Sequence, residues 1–495
     1  MTSRKRAGIH PLVVVVMLAA IPAVVLWGVW SWASARADAA DDAIPADVAS
    51  EPVPEPRLAL STHLLSFRRS ASMLSRDLNL DAFRTAVQPL LDSVGDRSCA
   101  AVSLDGTPVG ERNPEVVVIP ASNQKILVAA VAEQVLGADF VYTTRVVGPA
   151  PSGGVIAGDV FLVGGGDPLL SGEWYENSDL DRLPAFDTTS LDDLARQLVD
   201  AGVTQIAGVV RGDGSRYDDE FYAPGWGAGV AGLEAGPYDA LLVNDARVRG
   251  EDQRGSDPNE AGAREFVRIL AEQGIVVTGG SSTGVAPEGS NDLAAVESEP
   301  LAAIIAEMLT NSDNNTAELM VKEIGLEVTG AGSRIAGLEV IGTTIAEWGV
   351  DVTGLQLGDG SGLSLDNRTT CTTLMGVLQH VGFDSATGRG LPVAGRSGTL
   401  LDVFGDTPVA GRFRGKTGTL NNFPIDEDPP AVKALAGFLP IDDPGTIEPG
   451  AIEYVLLLNG PTISDQSEYR PVWGELVTAL NSFPAVADPA ALGPR

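Results

Sequence analysis

One segment constrains this chain more than any other. From Ile126 to Leu136 it reads ILVAAVAEQVL, apolar on nearly every face of a helix. A helix without a polar side has to be enclosed, so it lies at the centre of a domain with other layers packed round it. The 495 residues leave room for such a core and for two or three domains. Ser122 and Lys125 stand directly before the apolar stretch, three residues apart and so on one helix face.

Around that helix the chain divides by texture. Residues 1–10 read as a basic cytoplasmic tail and 11–33 as an uncharged run long enough to span a bilayer, with Trp27, Trp30 and Trp32 near its far end. Arg4, Lys5 and Arg6 keep the start inside, which sends everything after Ala33 outside. A signal peptide cleaved near the ASA at 33–35 is the alternative. Residues 34–75, rich in Ala, Pro, Asp and Glu, read as a linker. A helix is expected over 80–94 with Pro89 as a kink, then strands at 99–106 and 115–120. Residues 146–295 change character: many glycines, short β-like runs, and two helical stretches, LDDLARQLVDAG and AREFVRILAEQG. They read as an inserted module between a first part, 76–145, and a second, 296–484, followed by a tail at 485–495. In the second part FRGKTGTL, VKALAGFLP and AIEYVLLLNG are strand candidates for an antiparallel meander, and 469–483 closes as a helix.

Composition removes several functions. With 66 acidic residues against 33 basic ones, a nucleic-acid partner is excluded, because neutralising phosphates needs a basic surface. Three histidines, His10, His63 and His380, supply neither a His-based triad nor a metal site, and no cofactor is implied. Cys99 and Cys371 have no metal spacing. Two separate buried thiols are favoured over a disulfide.

The stretch GRFRGKTGTL at 411–420 offers two chemistries. A phosphate loop needs a glycine six positions before its lysine, where Ala410 stands, and it should open a helix. The other reading is an edge strand, Lys416-Thr417-Gly418, that works with Ser-x-x-Lys at a buried helix and Ser-x-Asn on a loop between helices. Both partners occur in that order, at Ser122–Lys125 and at Ser312-Asp313-Asn314. Two of the chain's five lysines fall inside these motifs. The alternative, a serine helix cap and a solvated strand lysine, does not account for three motifs in order.

The chemistry follows from the residue types. A serine hydroxyl is a weak nucleophile and needs a base; without a nearby histidine, Lys125 is the candidate. Desolvation and the positive field of Lys416 are expected to lower its pKa toward neutrality. Ser312 can relay a proton, Asn314 can hold a substrate amide, and Lys416 with Thr417 and Thr419 can grip a carboxylate. The N–H groups of Ser122 and Thr419 are expected to form an oxyanion hole.

On these residues the chain resembles the class C low-molecular-mass penicillin-binding proteins, D-alanyl-D-alanine carboxypeptidases/endopeptidases of the serine peptidase S13 type. PASNQK at 120–125, FLVGGGDPLL at 161–170, SDNNTAE at 312–318, DGSGLS at 359–364 and LPVAGRSGTL at 391–400 extend the match over roughly 80–480. The resemblance implies an α+β fold: a β-lactamase/transpeptidase-like domain, an antiparallel sheet flanked by helices plus a helical subdomain, interrupted by a β-rich insertion. It implies peptidoglycan peptides as substrates, β-lactam antibiotics as mimics that acylate Ser122, and work outside the cytoplasm. A β-lactam hydrolase and a non-catalytic wall-binding scaffold are the competing readings. Two departures stand out. Leu365 follows DGSGLS where the family carries an arginine, with Arg368 or Arg396 as substitutes, and 421–430 is long for a strand link. Asp167 can meet a substrate amine or cap the turn before Pro168.

Overall fold

A computed structural model describes residues 27–32, 67–178, 180, 182–227, 229–421, 430–441 and 450–484. The chain forms two units, Met1–Phe67 and Arg68–Arg495. Within the first, residues 27–32 are helical. Most of the expected bilayer span, and both His10 and His63, lie outside the described residues. Among the described residues no helix is long and apolar enough to cross a membrane.

The second unit holds all but the first residue of α1 (Phe67–Ser93), then the hairpin β1 (Cys99–Leu104) and β2 (Thr107–Arg112), followed by α2 (Gln124–Val135). Next come β3 (Thr143–Gly148), β4 (Val160–Val163), α3 (Leu191–Asp200), β5 (Val210–Asp213), α4 (Pro258–Glu272), β6 (Ser281–Thr283) and β7 (Asn291–Glu297). The chain returns through α5 (Leu301–Asn311), α6 (Asn314–Thr329), α7 (Arg334–Glu347) and α8 (Cys371–Val381). It ends on β8 (Arg414–Leu420), β9 (Ala431–Ile441), β10 (Gly450–Gly460) and α9 (Gln466–Asn481).

Strands β8-β9-β10-β1-β2 form one antiparallel sheet, so the expected meander is its centre and edge. Along β9, Val432, Ala434, Ala436 and Phe438 join the core on one face, while Leu435, Leu439 and Ile441 join a second core on the other. Both faces are covered, which is why these antiparallel strands read as continuous apolar runs rather than alternating ones. Helices α1 and α9 cover one face. On the other lies α2, whose residues Gln124 to Ala132 are all buried among α5, α6, α7 and α8, as its apolar circumference requires.

The inserted module has its own mixed sheet, ordered β6-β5-β4-β3-β7, and its own core with α3 and α4. Its paired strands run from Thr143 to Glu297, slightly beyond the 146–295 expected.

Three expectations are corrected. The first helix starts at Phe67, within the segment read as linker, and carries Pro89 inside it. Residues 115–120 form no ladder: Val118 exchanges one pair of bonds with Thr369, and the Asn459 side chain satisfies Ile119 from both sides, at 2.9 and 3.0 Å. Pro114 and Pro120 flank this extended connector, and β-branched residues serve such a conformation as readily as a strand. Cys99 and Cys371 form a disulfide, with Cα atoms 5.9 Å apart. Both are fully buried, so burial did not distinguish a thiol from a bridge; the meeting of β1 with the start of α8 did.

Candidate active site

Pro120 ends the connector, and Ala121–Asn123 form a single 3-10 turn leading into α2. Two other segments close on that turn, each through a glycine. A Cβ on Gly362 would lie 2.0 Å from the Ala121 carbonyl oxygen, and one on Gly418 would lie 2.8 Å from that of Pro120. Gly362 also has φ +86°, a backbone that favours glycine. The turn carrying Ser122 is thus pinned between β8 and the DGSGLS loop.

One helical turn on, Lys125 is fully buried. Its Nζ lies 3.2 Å from Ser122 Oγ, 2.7 Å from Asn314 Oδ1 and 2.6 Å from the Ser361 carbonyl oxygen. Burial lowers its pKa from 10.5 to about 8, against the opposing pull of Asp313, Asp359 and Glu318. Of the two expected causes, desolvation holds and the positive field of Lys416 is corrected. Desolvation does the lowering, and the strongest charges on Lys125 are carboxylates. The like-charge repulsion appears on Lys416, held well below its ordinary value first by burial and then by Lys125.

Ser312 ends α5 in a left-handed conformation, φ 65°, which turns the chain back on itself. Asp313 then caps α6 by accepting the Thr316 N–H at 2.6 Å, and Asn314 is the first helical residue. Both ends of the Asn314 amide are engaged: Oδ1 takes Lys125, and Nδ2 donates to the Glu234 carbonyl at 2.8 Å. On β8, Lys416 is fully buried and donates to its neighbour's carbonyl, that of Thr417, at 2.9 Å; Thr417 bonds Thr399 at 2.9 Å. Ser122, Ser312, Asn314, Thr417 and Thr419 line one cleft of about 500 Å³.

Asp167 is placed otherwise. It is 1% exposed, and one oxygen accepts the Leu169 N–H at 2.9 Å, a turn cap. Pro168 and Leu169 line the cleft above it. Burial raises its pKa to about 6. Arg368 donates to the carbonyls of Leu365 and Asn367, and the Arg396 guanidinium lies against Gly411; neither lines the cleft. Arg182 and Arg254 do.

A family model described as D-Ala-D-Ala carboxypeptidase 3 (S13) matches residues 99–251 and 239–472. The chain belongs to the S13 family. It is a serine-type D-Ala-D-Ala carboxypeptidase of α+β fold. A carboxypeptidase of Mycobacterium tuberculosis is 32% identical over 72% of this chain and 74% of its own length. The D-alanyl-D-alanine carboxypeptidase of Actinomadura sp. is 30% identical over 65% of this chain and 71% of its own. The crystal structure of penicillin binding protein 4 from Haemophilus influenzae shares the fold, with TM-score 0.62 and 20% identity, over 79% of this chain and 99% of that one.

Sequence reasoning missed part of this S13 site. Ser361 bonds Lys125 through its backbone carbonyl, which no side-chain motif reveals. Glu318 and Asp359 stand behind it, and Thr399 braces Thr417. All four lie in the family segments SDNNTAE, DGSGLS and LPVAGRSGTL, so the signal was present without its meaning. Glu234 sits in the inserted module, where nothing in the sequence marks it.

Proposed function

We propose that Ser122 is the nucleophile and Lys125 the base of a peptidase acting on peptidoglycan stem peptides that end in D-Ala-D-Ala. The observation that carries this is the trio of contacts at Lys125 Nζ. A buried amine held near neutrality can take the Ser122 proton as Oγ attacks the carbonyl carbon of the penultimate residue. The N–H groups of Ser122 and Thr419 receive the oxyanion. Collapse breaks the C–N bond, and the proton passes through Ser312 to the departing D-Ala amine, leaving an ester on Ser122. Water, deprotonated by Lys125, attacks the ester; its C–O bond breaks and the proton returns to Ser122 Oγ. Lys416, Thr417 and Thr419 hold the terminal carboxylate, and the incoming negative charge favours the ammonium form that burial disfavours. The engaged amide of Asn314 gives it a second task, orienting the base.

β-Lactams enter the same cycle as amide mimics and acylate Ser122. The catalytic part works outside the cytoplasm, where the disulfide persists, and the apolar run 11–33 anchors it to the membrane; fractionation of cells against a 40–495 form tests the anchor. The enzymatic test incubates residues 40–495 with defined stem peptides and cross-linked dimers, beside Ser122→Ala. Release of D-Ala by the wild type alone supports the proposal. An alanine variant that still takes a fluorescent penicillin sinks it, and turnover of the wild-type adduct within seconds indicates a β-lactam hydrolase instead.

A further inference from the structure

A base needs its lone pair aimed as well as its proton removed. Neutral Lys125 has two N–H bonds and one lone pair. Asn314 Oδ1 at 2.7 Å and the Ser361 carbonyl at 2.6 Å take both hydrogens, which leaves the lone pair toward Ser122 Oγ at 3.2 Å. The aim therefore depends on both acceptors keeping their places. Asn314 is fixed by its helix and by Glu234. The Ser361 carbonyl instead belongs to Gly360-Ser361-Gly362, a segment whose flanking glycines have the widest backbone freedom of any residue.

Two carboxylates remove that freedom. Asp359 accepts the N–H groups of Gly362 at 2.8 Å and Ser364 at 2.6 Å. From the first half of α6, Glu318 Oε1 accepts those of Gly360 at 3.1 Å and Ser361 at 2.8 Å, with Oε2 3.2 Å from Gly360 N. Glu318 is 1% exposed, and taking a carboxylate out of water is strongly unfavourable. A group whose only gain were packing would be apolar here.

We propose that Glu318 is a positioning residue for the general base: it clamps the Gly360–Ser361 backbone so that the Ser361 carbonyl directs the Lys125 lone pair at Ser122. This rests on the roles proposed above for Ser122 and Lys125. Glu318 also acts through charge, since an ionised carboxylate favours the ammonium form of Lys125. Burial, then Asp359, raises its own pKa to about 7. The other charged and titratable groups around the pair are Asp313, Lys416, Tyr238 of the inserted module, and Arg334, which is paired with Glu220 at 2.6 Å.

The two contributions separate by substitution. In Glu318→Gln the amide oxygen can still accept both N–H groups while the charge is gone; in Glu318→Ala both are lost. The experiment measures acylation of the full chain by a fluorescent penicillin across pH 6–10, with thermal melts of each protein. Glu318→Ala is expected to slow acylation about 10- to 100-fold, the size of effect that misplaced reacting groups produce. Glu318→Gln is expected to stay within about threefold at its own optimum, with its acid limb shifted to lower pH by roughly half a unit or more. Wild-type rates in Glu318→Ala overturn the proposal. So does a Glu318→Gln limb that coincides with the wild type, because a merely structural carboxylate moves the melt and not the pH profile. If the alanine variant does not fold, Glu318→Asp decides: it keeps the charge but draws the carboxylate back from the Gly360 and Ser361 N–H groups, and wild-type rates in it overturn the proposal. Absence of labelling in the wild type is seen before any variant is compared, and it removes the Ser122 assignment together with this one.

Discussion

At Lys125, function and stability pull apart. The fold holds this amine near pKa 8, against 10.5 when unfolded. Between those values the unfolded chain binds more protons. The site's contribution is therefore complete above about pH 10.5, declines as pH falls toward 8, and is flat below. The gap corresponds to about 3 kcal/mol. Lys125→Met should lower acylation about 10²- to 10⁴-fold, the usual range for a lost base. It should also flatten the stability rise between pH 8 and 10.5 relative to wild type, as read from denaturant titrations at several pH values. Gly362 makes a second test at this scale. A methyl group there meets the Ala121 carbonyl at 2.0 Å on a φ of +86°. Gly362→Ala should displace the Ser122 turn and slow penicillin acylation at least tenfold, by roughly the cost of an ångström of misplacement.

Among the elements, the bridge between β1 and α8 is the covalent tie. It closes a span of 272 residues that contains the whole inserted module. Long closed loops lose the most unfolded-state entropy, so replacing both cysteines with alanine should cost roughly 2–5 kcal/mol. The measurement is denaturant unfolding of the oxidised wild type against the double variant, and equal midpoints would contradict it. Helix α2 was legible because an all-apolar circumference admits one environment. The meander β8–β10 was legible from its turns and apolar runs. The strand expected at 115–120 was not formed, because β-branched residues signal extended backbone without saying whether a ladder is free to receive it. Pairing of the cysteines is a tertiary event, invisible in spacing.

On the scale of the whole molecule, the inserted module is part of the site's frame. Its Trp226 donates to Asp359 Oδ2 at 2.8 Å, its Glu234 carbonyl takes Asn314, and its Gly236 N–H donates to Asn315 at 2.7 Å. Lys322 of α6, fully buried, binds the carbonyls of Asp218 and Glu220, each at 2.9 Å, and the Asp218 carboxylate at 2.7 Å. Trp226→Phe keeps the packing and leaves a buried carboxylate oxygen one donor short, a loss of about 1–3 kcal/mol. Its effect should appear in the acylation rate as well as in the melt, although the residue lies in the module rather than in the motifs. A change confined to the melt would show that module and site are independent.

Residue order alone carries the chemistry on offer: a serine and a lysine one helical turn apart, a second lysine on an edge strand, and a helix that could only be central. Those follow from local rules, since spacing along a helix and apolar periodicity need no partner. Which groups surround that chemistry emerges only when distant segments pack together. Ser361, Glu318, Asp359 and Glu234 reach Lys125 or its partners from segments up to 236 residues away. Ser361 and Glu234 do so through backbone carbonyls, and Glu318 and Asp359 through carboxylates that grip backbone N–H groups; every residue carries those backbone groups, so no sequence pattern can single them out.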